Sequence, residues 1–383
     1  MNPLLLVTTS YPDESEGAAA AGAFVQDFAH ALSTVRRVTV VAPGETARTT
    51  QEQGVQVRRF AVPRQPLSLL SPGNPAHWPA IMATLRAGGQ AVQQACAESS
   101  IAHIFALWAL PSGFWALQAS RRFGIPYSIW ALGSDIWTLG KIPVVRQLLR
   151  QVLRNAASRH ADGLALKADV ERIGGKPCAF LPSCRRLVQE QAKILRNHPP
   201  YRLAFLGRWH PNKGIDLLLQ ALELLSDEDW RRIDRLRING GGPLEKQVYN
   251  QTARLVQAGR PVTVGGYLER NEARDLLAWA DYLVIPSRIE SIPVVFSDAM
   301  QMQCPVIAMP VGDLPQLIAE HHCGITAATV TSIDLAQALR QALTVAPTDF
   351  ATGLHQAARA FNVAVTAHNL AGRLALSESD IEP

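Results

Sequence analysis

The sequence has no Cys-x-x-Cys pair, no dense cluster of charge such as nucleic-acid binding would want and no apolar run able to cross a bilayer. Its cysteines, Cys96, Cys178, Cys184, Cys304 and Cys323, are odd in number and scattered. That spacing argues against a disulfide framework or a cysteine-rich zinc site and suits a reducing cytoplasm. The longest apolar stretch, "IFALWALPSGFWALQAS", is broken by Pro111, Ser112 and Gly113, so a transmembrane helix is not expected. The amino terminus, "MNPLLLVTTSYP", lacks a basic leader and reads as a first strand, not a signal peptide. The net charge is +5 over 383 residues, too dilute for a nucleic-acid binder. It favours anionic small molecules or a membrane surface as partners.

What is present is an ordinary globular composition, 48% hydrophobic and 18% charged, in a chain too long for one core. Short apolar runs alternate with helix-period segments, the pattern of βαβ units on parallel sheets. The first half offers strands at "PLLLVTTS", "VTVVAP", "VQVRRF", "AHIFAL", "YSIWAL" and "GLALKA"; the second restarts with "YRLAFLG", "RLRING", "VTVGGY", "DYLVIPS" and "PVIAMP". Between them "QEQAKILRNHPPYR" reads as a linker near residues 190–200. The expected class is α/β, with two doubly wound Rossmann-like domains (1–190 and 198–350) facing a cleft where ligands meet strand ends.

"FLGRWHPNKGIDLLLQAL" ends a strand at Gly207, carries Arg208 and Lys213 on a loop, and opens a helix after Gly214. Two cations at a helix start suit a diphosphate, although two solvated loop cations would look the same. "INGGGPL" brings Gly240, Gly241 and Gly242 between strand and helix, where backbone can approach a ligand or merely turn tightly. In "PSRIESIPVVFSDAM" the spacing predicts a helix from Pro293 to about Met302, with Ser291 a candidate N-cap. Glu290 would sit in the loop and Asp298 about two turns along, on the order of 10 Å away, a separation suited to hydroxyl groups on either side of a diphosphate.

In "WALGSDIW", Gly133, Ser134 and Asp135 close a strand of the first domain. Asp135 is expected exposed at the cleft, either orienting a substrate hydroxyl or capping a helix. The loop "SYPDESEGAAAAGAF" holds Gly17 and Gly22 before a helix and could form a phosphate loop or lid. Trp108, Trp115, Trp130 and Trp137 read as aromatic core, with sugar stacking the rarer use. The Asp227–Asp229 pair and the His321–His322–Cys323 run lack further ligands at metal spacing. From Lys141 to Arg159 an apolar stripe carries only basic charges, which a soluble surface helix explains and which also leaves room for contact with an anionic membrane.

Taken in order, these stretches resemble the retaining GT-B glycosyltransferases of the glycosyltransferase 4 type, also called glycosyl transferases group 1. The likeness covers nearly the whole chain and is densest from 203 to 318. It implies a nucleotide-diphosphate-sugar donor, of UDP or GDP type, on the second domain and a glycan or lipid-linked acceptor on the first. Arg208 and Lys213 would hold the diphosphate and Glu290 would stand near the donor sugar as the catalytic set. Gly207, Gly240–Gly242, Ser291, Ile292, Pro293 and Asp298 would line the nucleotide, with Asp298 at the ribose. Gly17, Gly22, Gly133, Ser134 and Asp135 would line the acceptor side.

The resemblance further implies same-face attack with retention, no cofactor, no metal, and C-terminal helices from 351 to 383 crossing back to the first domain. It points to polysaccharide or cell-envelope synthesis; the cysteines place the protein in the cytoplasm, and residues 141–159 leave room for peripheral contact at the inner face of the plasma membrane. The chain departs from the family pattern in having Asp298 for a second Glu, Leu132 where His is frequent, and "PSC" at Pro182–Cys184 where "PNG" is common. The alternatives are a nucleotide-sugar epimerase or hydrolase on the same fold, or a non-catalytic nucleotide-binding subunit.

Overall fold

The computed structural model describes residues 3–12, 22–63, 70, 74–189 and 192–379, the last five by backbone alone. The chain divides into two compact units, one of residues 1–183 with 363–383 and one of residues 184–362.

In the first unit β1 (Leu4–Val7) leads through α1 (Ala23–Ser33) to β2 (Val38–Gly44). A short β3 (Arg48–Glu52) pairs antiparallel with β4 (Val55–Ala61). Next come α2 (Trp78–Glu98), β5 (His103–Leu107), α3 (Ser112–Phe123) and β6 (Tyr127–Ala131). The one-turn α4 (Ser134–Trp137) and α5 (Pro143–Asn155) precede β7 (Ser158–Ala161), α6 (Leu164–Gly174) and β8 (Ala179–Phe180). The strands lie in the order β3-β4-β2-β1-β5-β6-β7-β8, parallel apart from β3. Helices cover both faces of the sheet, so β1, β5 and β6 are buried throughout and show no polar–apolar alternation in exposure. On one face Trp115, Ile129, Leu149 and Val152 belong to a single core.

The strand expected at "GLALKA" is instead the start of α6, and the true strand lies just before it at Ser158–Ala161. Leu166, Val170 and Ile173 recur at helical spacing and are the buried face. The strand escaped notice because its buried residues are polar. Arg159 turns inward and spends its guanidinium on the carbonyls of Leu153, Ala156 and Pro177. His160 closes a chain through Ser158 and Ser128 to His103.

The second unit begins with β9 (Tyr201–Arg208), α7 (Ile215–Glu223) and α8 (Asp227–Arg231). β10 (Ile233–Gly241), α9 (Glu245–Gln257), β11 (Val262–Gly265) and α10 (Arg270–Trp279) follow. Then come β12 (Tyr282–Ile285), α11 (Val294–Gln301), β13 (Val306–Ala308), α12 (Leu314–His321) and β14 (Gly324–Thr326). α13 (Ser332–Ala342) and α14 (Ala351–Ala360) complete it. Its strands are all parallel, in the order β11-β10-β9-β12-β13-β14. The winding reverses between β9 and β12. In such a sheet the loops leaving those two carboxyl ends diverge and open a crevice for ligand.

Both boundaries differ from those expected. The chain joins the second unit at Cys184, ahead of the anticipated 190–200 linker. Arg185 pairs with Asp298, Gln301 binds the Arg185 carbonyl and the Leu187 amide, and Lys193 donates to the carbonyls of Leu277 and Ala280. α14 stays with the second unit, where the buried Phe361 just beyond it meets Phe296 edge-on at 5.2 Å. The return to the first unit starts at Val363, not 351. There α15 (Val363–Ser379) packs on α1 through Val363, Ala367, Leu370 and Leu374, one face of a helix.

Candidate functional site

The β9–α7 loop and the β12–α11 loop meet at the switch point of the second sheet. Gly214 (φ 68°) ends the first of them, and a Cβ there would stand 1.8 Å from the Pro286 carbonyl oxygen, so only glycine permits the approach. Arg288 fastens the two loops together: its amide donates to Asn212 O at 2.8 Å, and its guanidinium binds Pro211 O and the Asp216 carboxylate at 2.6–2.8 Å. With the loops joined, Lys213 Nζ forms an ion pair with Glu290, whose Oε1 also accepts from Ser287 Oγ at 3.2 Å. Arg208 stands exposed at the end of β9, and among the described residues its guanidinium has no protein partner. A carboxylate held by one cation, with a second cation open, can receive an anionic ligand carrying hydroxyl groups.

The glycine run lies alongside. A Cβ on Gly240 would fall 1.9 Å from the carbonyl oxygen of Gly207, so β9 and β10 touch where their chains leave the sheet. The Tyr267 ring, 66% exposed, lies over Gly241 and donates its hydroxyl to the Gly241 carbonyl at 2.7 Å. Tyr267 was not foreseen; the signal was an aromatic after the Gly265–Gly266 pair at a strand end.

Around α11 the expectations divide. The helix starts at Val294 with Pro293 as N-cap, and Ile292 is buried beside it. Ser291 does not cap: its Oγ is buried without a partner among the described residues. Asp298, expected beside a ribose, is wholly buried and ion-paired with Arg185. A helix packed on both sides turns that position inward, and a buried carboxylate requires a cation. The described side chain presents no surface to a ligand.

Asp135, expected exposed, is 1% exposed. Its Oδ2 accepts from Ala109 N at 2.6 Å and its Oδ1 from Leu132 N at 3.3 Å, joining the ends of β5 and β6. Burial pushes its carboxyl up to about 6, against the opposing effect of those amides. Gly133 is buried just ahead of it, Ser134 is exposed, and Gly22 precedes α1. Gly17 lies outside the described residues.

The Ala109 bond lies next to Trp108, which the sequence reads as aromatic core with sugar stacking the rarer use. Trp108 has φ 68°, an unfavourable conformation for a bulky side chain. Trp108 N donates to Trp130 O at 2.9 Å, and Trp108 O accepts from Gly113 N at 3.2 Å. It is half-buried at the β1/β5 switch of the first sheet, with the Phe24 ring edge-on at 6.2 Å. Trp115 and Trp130 are core.

The pairs set aside in the sequence have structural roles. Asp229 makes a capping box with Ser226, Asp227 pairs with Arg260, His321 meets the Phe361 ring edge-on and His322 lies tilted against Phe350, each at 6.0 Å. Among the described residues no three His, Cys, Asp or Glu side chains gather to hold a metal. No helix among them is long and apolar enough to cross a membrane.

Residues 200–345 match the family model "Glycosyl transferases group 1", and residues 20–184 match "Glycosyl transferase 4-like domain". Among curated relatives, TuaC of Bacillus subtilis (strain 168), assigned by name to teichuronic acid biosynthesis as a glycosyltransferase, is 29% identical over 57% of this chain and 55% of its own. A D-inositol 3-phosphate glycosyltransferase of Corynebacterium aurimucosum is 32% identical over 37% of this chain and 34% of its own. The chain thus spans between a third and just over half of those two relatives. Two solved structures share the fold across 98% of this chain and 100% of theirs. Sucrose-phosphate synthase of Thermosynechococcus elongatus has a TM-score of 0.70 at 16% identity. Anabaena Alr3699/HepE, solved in complex with UDP, has 0.71 at 17%.

Proposed function

From a chain that belongs to the GT-B glycosyltransferases of the glycosyltransferase 4 type, we infer transfer of a sugar from a nucleotide-diphosphate-sugar donor to a glycan or lipid-linked acceptor. The observation that carries this reading is Arg208, without a partner among the described residues, at the end of β9, whose following loop brings Lys213 to Glu290 at the switch point of the second sheet. A diphosphate supplies the counter-charge that Arg208 lacks. The neighbour solved with UDP supports uridine as the first base to test.

In the proposed reaction the acceptor hydroxyl attacks the anomeric carbon on the face from which the nucleoside diphosphate leaves. The new carbon–oxygen bond forms as the sugar–phosphate bond breaks, and the hydroxyl proton passes to the departing phosphate. Arg208 and Lys213 stabilise the charge that develops on that phosphate, taking the part a metal plays elsewhere. Glu290, held by Lys213 and Ser287, orients the donor sugar. The backbone of Gly240–Gly242 borders the diphosphate. Trp108, held through its backbone by Trp130 and Gly113, forms part of the acceptor side.

Nuclear magnetic resonance of the product tests this reading. The anomeric proton coupling should match that of the donor sugar, and turnover should persist in a chelator. An inverted product would reject same-face attack; free sugar as the sole product in the presence of acceptor would favour a hydrolase.

A further inference from the structure

We propose that the outward face of α5 docks the first unit on an anionic lipid bilayer. The inference deepens the functional reading by naming where a lipid-linked acceptor is met, and it stands on charges and exposures local to this helix. Between Asp135 and Asp162 the chain contains no acidic residue. α5 buries Leu149, Val152 and Leu153 against the sheet and turns its other side to solvent. Arg146 and Arg154, exposed, and Arg150, half-buried, recur at i, i+8 and i+4 toward that side, with the exposed Lys141 in the preceding turn. None of the four has an ion-pair or side-chain hydrogen-bond partner among the described residues.

The acids of the neighbouring helix are already engaged. On α6, Asp169 binds Arg172 and Trp137 Nε1, and Glu171 accepts from Cys178 N. Arg159, at the end of the basic stretch, is excluded from the surface because it is 7% exposed and bonded to backbone carbonyls.

Apolar side chains distinguish a bilayer from a nucleic acid as the occupant. Val144 is 83% exposed and Ile142 38%, beside Lys141 at the start of α5. Phosphodiester backbones are bound by the cations but gain nothing from exposed valine and isoleucine; a lipid interface gains from both. α2 begins from the same carboxyl edge of the sheet and packs into the same core, and its first two turns expose Trp78 and Met82. Exposed tryptophan at such an edge suits the headgroup region.

The test is sedimentation of the full-length protein with vesicles of phosphatidylcholine, with and without about one-third phosphatidylglycerol. The protein should pellet with the anionic vesicles only and be released by salt. R146Q/R150Q/R154Q should weaken this binding by roughly a hundredfold, since each surface cation is worth about fivefold. Val144→Glu should weaken it without removing a cation. Both variants should keep the wild-type circular dichroism and UDP affinity, because they alter exposed and half-buried side chains of the first unit, whereas the nucleotide loops belong to the second. No binding to anionic vesicles at low salt, or equal binding by the triple variant, would overturn the proposal. So would tighter binding to duplex RNA than to vesicles. If vesicles bind and UDP does not, the docking surface stands and the transferase reading fails.

Discussion

The ammonium of Lys213 and the carboxylate of Glu290 meet across two loops that leave neighbouring strands of one parallel sheet. The contact depends on Gly214 and Arg288, which bring the loops together, so loop geometry as well as charge determines it. Glu290→Gln keeps the shape and removes the charge. Turnover should fall about a hundredfold or more while UDP affinity changes little. Full turnover in steady-state kinetics would remove Glu290 from the reaction.

Gly214→Ala places a Cβ where the Pro286 carbonyl already stands, at a φ of 68°. Strain and the forced separation of the loops should lower unfolding free energy by about 2 kcal/mol or more. Thermal melting with and without UDP should show both a lower midpoint and a smaller ligand shift. A wild-type midpoint would mean the loops open at no cost.

Asp135 gives a pH dependence with a definite sign. Its carboxyl titrates near 6 in the fold and at the ordinary 3.8 once unfolded. Below about pH 4 both states carry the proton. Above pH 6 the folded chain must ionise a buried acid that the unfolded chain ionises freely. The stability it contributes is therefore greatest at acid pH and falls by on the order of 3 kcal/mol by pH 7. Urea midpoints across that range should show this slope in the wild type and its loss in Asp135→Asn. Parallel slopes would contradict the assignment.

Arg185→Met leaves the Asp298 carboxylate buried without this cation. A cost of about 2–3 kcal/mol is expected, reduced from that of a dry pair because the Arg185 side chain keeps 27% exposure. An unchanged denaturation midpoint would show that Asp298 is held adequately by other groups.

The sequence was most legible where one residue type serves one purpose. The β9 and β12 strands, the turn at Gly214 and the helix after Pro293 follow from apolar runs, glycine and proline in places few others fit. Polar groups turned inward were not legible. Arg159 and His160 disguised β7 as surface, and Asp135 and Asp298 read as ligand-facing acids because one-dimensional spacing cannot report burial. Trp108 read as aromatic core, and its positive φ was not legible because the backbone bonds around it come from Trp130 and Gly113 and that of its neighbour Ala109 from Asp135.

Calorimetric titration of UDP, GDP and ADP into the wild type and Arg208→Ala tests the central claim most directly. One nucleotide should bind the wild type, and Arg208→Ala should weaken it roughly ten- to a hundredfold, as loss of a charge-assisted contact to phosphate requires. Equal affinity in both proteins would contradict a diphosphate site at the end of β9.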